Sequence, residues 1–501
     1  MPRHALRAMT VAAMVAGAAL VARFSGTAAG GADSSGYLNS ARLLARGRLA
    51  EPVRAVPGIL AASYPSGIFV PLGMRPGRRP ATAAPTYPVG LPLHLAAASL
   101  LLGPERAPVT VNVLAWIAAV VLLYRLARLL ALPRTWSVMA VLAFAVFPVT
   151  VLQSVRVMSD VLATAWCLAA AFFALRARKH GTYALGAGVS LSIAVLVRPT
   201  DALVAPALAL AVGASPTLLA AAAAGAAPCL LGLGLYNLAE YGRAVTTGYT
   251  GLAPSVALAN LPNGVLHLGR WLVTFLGAPA VALVGLGVVR AVRGDRRQVV
   301  LLTWAGAIVG FYSLYEPSLY GWWRLRFLLP AVPALILSAL LAAKELLASA
   351  EEVRASRPAL RRGAAAGLAV GLLWSLVVSG YWVVSRKVWE VGRSEDIYPR
   401  CVAWAERRLP PNAALVSMQT SGAVNFYGHL PIVRYDLLDQ PTYARFVADA
   451  KALGIPLYAL LFRNDRLEFE RRWPGEWVRL DGLDEASLWQ LKSGAVPAAK
   501  P

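Results

Sequence analysis

Residues 108–130 read PVTVNVLAWIAAVVLLYRLARLL, with no charge before Arg125. About twenty apolar residues are what an α-helix needs to cross a bilayer. The arginines Arg125 and Arg128 gather at one end, as they do where a span meets the cytoplasm. Comparable windows lie outward from this one at 7–24, 136–152, 160–176, 182–197, 201–214, 216–237, 271–290, 298–315, 327–343 and 364–385. These windows predict an α-helical polytopic membrane protein of about eleven transmembrane helices.

The composition agrees. Of 501 residues, 58% are hydrophobic and only 15% charged, and the mean hydropathy is +0.58. One water-soluble core cannot bury that much apolar surface, so lipid must solvate much of it. The net charge of +23 would suit nucleic acid in a soluble chain. Here the basic residues punctuate apolar runs, which is an orientation signal and argues against a nucleic-acid partner. Cys167 and Cys229 sit in apolar runs and Cys401 in the polar C-terminal part, so no disulfide framework is expected. The basic start and the small-residue stretch Ala8 to Val21 resemble a secretory signal with a cleavage site near Ala28 to Gly31. An uncleaved first span fits a chain with many further spans better.

With a cytoplasmic N-terminus, the inside connections carry Arg125, Arg128 and Arg134, then Arg176, Arg178 and Lys179, then Arg290, Arg293, Arg296 and Arg297. The last inside connection carries Lys344, Arg354, Arg357, Arg361 and Arg362. Outside connections are poorer, with Arg156, Arg198, Arg243 and Arg270, and the pair Arg324 and Arg326. An odd span count places two large pieces outside: the first loop, 25–107, and the segment 386–501. The expected organisation is a transmembrane domain over 1–385 and an extracytoplasmic soluble domain over 386–501, in a plasma or inner membrane. Residues 89–103, with Pro88 and Pro92, predict an interfacial helix. In the C-terminal segment a helix signal over Ile397 to Arg408 is followed by short apolar runs at Ala414 to Met418 and Ile432 to Tyr435. A second helix signal over Tyr443 to Leu453 then precedes Pro456 to Phe462. That alternation predicts a small α/β domain.

Directly after the first span comes Gly30-Gly31-Ala32-Asp33-Ser34-Ser35-Gly36-Tyr37. Asp33 there can be a catalytic carboxylate at the membrane surface, or the N-cap of a helix over Ser34 to Arg46. Asp160 can pair with Arg156 one helical turn away, or serve as a second acid. Arg156, Arg198, Arg324 and Arg326 are outer-face cations that can hold a phosphate or simply snorkel to the interface. Tyr320, Trp322 and Trp323 suit either sugar stacking or an interfacial aromatic belt. Glu316 is a lesser carboxylate. His94, His267 and His429 lack ligand spacing, so a metal site cannot be read from them. Gly232 and Gly234 lie in an apolar run and predict close helix packing.

A series of short motifs runs in order along the chain. The first is Ala32-Asp33 with Tyr37, Ala41, Leu44 and Gly47. Next come Tyr87-Pro88-Val89-Gly90-Leu91-Pro92-Leu93 with Gly103, the basic Leu123 to Arg128, and Phe147-Pro148 with Met158-Ser159-Asp160. Val197-Arg198-Pro199-Thr200, Tyr236-Asn237 with Tyr241-Gly242 and Gly248-Tyr249, and Arg326-Phe327-Leu328-Leu329-Pro330 with Pro333 continue the series. Ala403-Trp404 to Pro410 and Asn425-Phe426-Tyr427 complete it. Taken in this order, the motifs resemble the GT-C superfold of membrane glycosyltransferases, of the protein O-mannosyltransferase and lipid A aminoarabinose transferase type.

The resemblance implies an inverting transfer of a sugar from a polyprenyl phosphate to an extracytoplasmic glycan, lipid or protein acceptor. It casts Asp33 as general base, Asp160 as a second acid, the four arginines as donor-phosphate ligands, and Tyr37 and Tyr87 as further sugar or acceptor contacts. Phosphate leaves without needing a proton, so one base suffices and no cofactor is required. Many members carry a second acid beside the first or two residues after it. Ser34 and Ser35 stand there in this chain, which leaves a divalent metal undecided. A multi-span transporter or flippase, or an envelope-assembly scaffold, is the alternative. The large outside pieces and the absence of repeat halves count against transport.

Overall fold

The computed structural model describes residues 3–249, 255–352 and 358–492. Arg354 and Arg357 of the last basic connection lie outside the described residues. The chain forms two compact units, one of 1–25, 109–233 and 250–392, the other of 26–108, 234–249 and 393–501.

The first unit is helical. Four helices in the chain are long and apolar enough to cross a membrane: Ala107–Leu129, Asp160–Ala177, Pro216–Tyr241 and Trp322–Ala348. Three bent pairs bring the number to seven if each pair is one span. Each of the eleven expected windows falls on a helix, but not always on a straight one. The window at 271–290 straddles a bend of 114° between Leu258–Leu276 and Ala278–Val292. Gly277 at the break has φ +86°, a conformation glycine adopts without steric cost.

Burial sorts the long helices. The apolar window of Trp322–Ala348 is 83% buried and that of Pro216–Tyr241 only 6%, so the former lies inside the bundle and the latter at its surface. Lipid tails are as apolar as leucine, so helices associate through small residues and buried polar pairs. A Cβ on Gly188 would stand 1.8 Å from the Ala222 carbonyl oxygen, and one on Gly225 2.2 Å from that of Leu185. The close packing expected at Gly232 is therefore found elsewhere: nothing lies within 4 Å of a Cβ at Gly232, and at Gly234 only Ala244 does, at 3.7 Å. Those two glycines sit where Pro216–Tyr241 has no close neighbour. One buried polar pair is Gln298 with Ser338, where Ser338 Oγ donates to Gln298 Oε1 at 2.6 Å.

The second unit is built around a five-stranded mixed sheet. Its elements follow helix Asp33–Ala45 and three short strands of the first loop, β1 (Glu51–Pro52), β2 (Met74–Pro76) and β3 (Thr82–Pro85). The sheet comprises β4 (Ala414–Val416), β5 (Ile432–Val433), β6 (Leu457–Phe462), β7 (Trp477–Leu483) and β8 (Ala486–Leu491), in the order β5-β4-β6-β8-β7. Pairs β4/β5 and β4/β6 are parallel, and β6/β8 and β7/β8 antiparallel. The expected C-terminal α/β arrangement is present, with helices Ile397–Glu406 and Gln440–Ala452 on the two helix signals.

Side-chain alternation along β6 divides the core in two. Leu457, Ala459 and Leu461 face one cluster, and Tyr458 and Leu460 the other. The first cluster also contains Val56, Ile59, Tyr64, Ile68 and Phe69. Residues of the first loop thus complete the core of the C-terminal sheet, and Arg434 N–H donates to the Ile68 carbonyl at 2.7 Å. The expected interfacial segment is helix Gly90–Leu102, which leaves Leu100 and Leu101 mostly exposed.

Candidate active site

In the first unit, Asp160 opens helix Asp160–Ala177, and Arg198 follows the end of helix Thr182–Val197. These two helices are joined by a short turn, which brings both residues to the same end of the pair. Asp160 is 1% exposed and Arg198 8%. Arg198 Nη1 donates to Asp160 Oδ1 at 2.7 Å and to the Arg326 carbonyl at 3.1 Å. Its Nη2 donates to Tyr312 Oη at 3.1 Å, and that hydroxyl lies 2.8 Å from Thr200 Oγ1. Arg326 Nε stands 3.6 Å from the same Asp160 oxygen.

Asp160 therefore pairs with Arg198 across helices. Arg156 lies in the non-helical connection after Pro148–Ser154, its carbonyl accepting from Asn112 Nδ2 at 3.0 Å. Asp160 Oδ2 makes no hydrogen bond among the described residues.

The guanidinium groups of Arg198, Arg324 and Arg326 lie 5.9, 6.0 and 5.6 Å from the Phe327 ring centroid. Phe327 stacks on Tyr312 at 5.0 Å. Three cations thus surround one ring, with Asp160 as the carboxylate in ion-pair range of two of them. Arg198 is buried while Arg324 and Arg326 are partly exposed, and an anion joining such a cluster offsets the cost of holding its like charges together. Arginine forks match phosphate geometry. Sequence reasoning singled out the three arginines but missed Tyr312, Phe327 as their common platform, and Asp201, which is 2% exposed. An aspartate three residues after Arg198 in an apolar context was the available signal.

The aromatic candidates separate. Trp322 is enclosed by Phe275 and Trp382 at 6.2 and 6.0 Å. Trp323 and Tyr320 remain about half exposed, and the Tyr320 hydroxyl is bonded to Glu316.

In the second unit, Asp33 is the first residue of helix Asp33–Ala45, and the N-cap is Ala32. Asp33 therefore lies inside the first turn and not at the cap position read for it, and Ala32, which holds that position, makes no side-chain cap bond. Asp33 is half-buried and Ser34 and Ser35 fully buried. Ser34 Oγ donates to Glu395 Oε2 at 2.8 Å. Glu395 is a carboxylate beside the first turn that no local pattern could have revealed, since 361 residues separate the pair. Gly36 and Gly73 approach so closely that a Cβ on Gly73 would stand 2.4 Å from the Ala32 carbonyl oxygen. Tyr37 and Tyr87 lie against each other at 4.9 Å and are both buried, with Tyr249 on Tyr87 at 5.7 Å.

Asn425-Phe426-Tyr427 locks this helix in place. Asn425 Nδ2 donates to Asn39 Oδ1 at 3.0 Å, Arg42 Nη1 to the Phe426 carbonyl at 3.0 Å, and Ala29 N–H to Tyr427 Oη at 2.9 Å. Among the described residues no group of three or more His, Cys, Asp or Glu is placed to hold a metal ion.

The family described as dolichyl-phosphate-mannose-protein mannosyltransferase matches residues 88–233. No curated protein matches over the sequence. Among solved structures, ArnT from Cupriavidus metallidurans bound to undecaprenyl phosphate is similar at 14% identity and a TM-score of 0.57. The alignment covers 98% of this chain and 99% of ArnT. The Archaeoglobus fulgidus oligosaccharyltransferase tethered with an acceptor peptide is similar at 14% identity and a TM-score of 0.53, over 98% of this chain and 75% of that one. The mycobacterial arabinofuranosyltransferase AftD gives 16% identity and a TM-score of 0.52, over 97% of this chain and 42% of that one. At these identities the likeness establishes the fold.

Proposed function

We propose that this chain, which carries the GT-C fold, is an inverting glycosyltransferase drawing on a polyprenyl-phosphate sugar. The observation that carries the reading is the set of three guanidinium groups around Phe327 with Asp160 between two of them. Arg198 is clamped by Asp160 and Tyr312, so its charge is fixed before any substrate arrives. Fixed charge in a poorly hydrated site stabilises a departing phosphate more than mobile charge in water does. Arg324 and Arg326 supply the further donors, and Arg156 is retained as a fourth.

Asp33 takes the proton from the acceptor hydroxyl. The acceptor oxygen forms its bond to the sugar anomeric carbon as the bond from that carbon to the phosphate oxygen breaks. The phosphate leaves with the electron pair, and attack opposite the leaving group inverts the anomeric centre. Asp160 orients Arg198 and Arg326. Tyr37, Tyr87, Tyr320, Trp322 and Trp323 are the aromatic candidates for the sugar or acceptor.

The basic connections support a cytoplasmic N-terminus and an outside location for the C-terminal sheet. The neighbours solved with undecaprenyl phosphate and with an acceptor peptide support the kinds of partner. The test is to identify the glycan or glycolipid lost on deleting the gene, then to complement with wild type and with Asp33→Asn. Restoration by wild type alone is expected. Restoration by Asp33→Asn removes Asp33 from the chemistry, and an unchanged glycan profile on deletion overturns the transferase reading.

A further inference from the structure

The C-terminal sheet carries a feature that sugar transfer at Asp33 and the arginines does not use. An open pocket of about 230 Å³ is lined by Trp473, Trp477, Trp489, Arg466, Glu470 and Gly475. That volume lies below the about 300–1,000 Å³ of sites for drug-sized ligands, so the pocket suits a single sugar ring and nothing larger. Trp473 is fully buried and its Nε1 donates to the Tyr435 carbonyl at 3.2 Å, so it fixes the wall behind the pocket without itself presenting a ring face. Trp477 and Trp489 are half-buried, on β7 and β8. Trp489 is held by a 2.9 Å bond from Nε1 to Ser487 Oγ, and Arg466 covers its ring at 4.8 Å. Arg466 Nε also donates to Glu470 Oε1 at 2.6 Å, and both side chains are about half exposed.

We propose that this pocket binds a neutral sugar residue of a glycan. A pyranose or furanose ring offers an apolar C–H face, which an indole face covers, and a rim of hydroxyl groups, which need donors and acceptors. The Arg466–Glu470 pair supplies both: unused lone pairs on the carboxylate accept, and the remaining guanidinium N–H groups donate. Because the two charges cancel, the pocket offers a phosphate or uronic acid no net charge to pair with, and a neutral sugar loses nothing there. A proline-rich peptide also docks on tryptophan, but along an extended groove, whereas these indoles surround a single pocket. The site would hold a glycan by a sugar unit that is not itself reacting. The inference stands apart from the transferase reading, since binding is measured without turnover.

The experiment uses the full-length protein in lipid nanodiscs with a panel of neutral manno-, gluco-, galacto- and arabino-oligosaccharides, read by saturation-transfer NMR and titration. At least one member should bind saturably. Glu470→Gln and Trp489→Ala should each weaken it about tenfold or more, while Trp489→Phe retains most of it and Asp33→Asn and Arg326→Ala leave it unchanged. Glu470→Gln keeps the proposal falsifiable if Trp489→Ala fails to fold. No saturable binding by any panel member overturns the proposal, as does binding indifferent to Glu470→Gln. Binding lost in Asp33→Asn but kept in Glu470→Gln would assign the sugar to the transfer site and overturn this one. Capture of a polyproline peptide in place of every sugar would overturn it as well.

Discussion

Ser34 Oγ and Glu395 Oε2 lie 2.8 Å apart, joining the first helical turn after Asp33 to the segment that enters helix Ile397–Glu406. Ser34 is fully buried and Glu395 is 9% exposed. Where many members of the resembling family carry a second acid, a hydroxyl here donates to an acid from the other end of the chain. Ser34→Asp would set two carboxylates against each other, and like charges at 4 Å repel by up to about 4 kcal/mol at an effective dielectric of 20. The expected outcome is a marked fall in the melting temperature of Ser34→Asp, largely restored by adding Glu395→Gln. A double-mutant cycle with no coupling would remove the repulsion argument.

Arg198 and Arg326 should respond differently to truncation. Arg198 is almost wholly buried, and Arg198→Ala strips Asp160 of its closest cation. Breaking a buried pair in this way is expected to lower stability by about 3–5 kcal/mol. Arg326 is more exposed and stands farther from Asp160, at 3.6 Å. Arg326→Ala should leave the protein folded and inserted while weakening donor binding about tenfold or more. Donor titration of detergent-purified variants, beside thermal unfolding, separates the two effects. Unchanged donor affinity in Arg326→Ala would take that residue out of the phosphate site.

Asp33→Asn isolates the carboxylate from its place in the helix. As the first helical residue Asp33 favours the positive end of the helix dipole, worth about 0.3–1 kcal/mol, and Asn keeps its size and one accepting oxygen, so the stability loss should be modest. Loss of a well-placed base should cut transfer by about two to four orders of magnitude. Sugar transfer measured beside the melting temperature checks both numbers. Near-normal transfer with a large drop in stability would make Asp33 a purely structural residue.

Asp465 gives the second unit a pH dependence of definite sign. It is 5% exposed at the start of helix Arg466–Arg472. Burial foremost, with Glu468 and Asp436 nearby, pushes its carboxyl up to about 6, against an opposing bond from Phe462 N–H. Between the ordinary carboxylate range and that value the folded state holds a proton the unfolded state has lost. Stability from this group is therefore fullest below about pH 4 and declines as pH rises through about 6, by up to about 3 kcal/mol. Asp465→Asn should raise the melting temperature at pH 7.5 and change it little near pH 4. Equal effects at both pH values would show that ionisation of Asp465 is not what limits stability.

The amino-acid sequence by itself determined the helices, their approximate bounds and the alternating C-terminal elements. Each of these is a local property: an apolar run such as 108–130 must be buried whatever it meets, and the apolar run at Pro456 to Phe462 needs only a sheet to join. It also singled out Arg198, Arg324 and Arg326, because a cation at the end of an apolar run is conspicuous. Only the tertiary structure decided their partners. Asp160 could have reached Arg156 within one turn, yet the crossing of helices gave it Arg198. Likewise Glu395 met Ser34, and Val56 and Ile68 entered the core under β6. Periodicity along a chain states which face needs covering, but the covering surface can come from any distant segment of matching shape and polarity. That choice is made by packing and by satisfaction of buried polar groups over the whole unit.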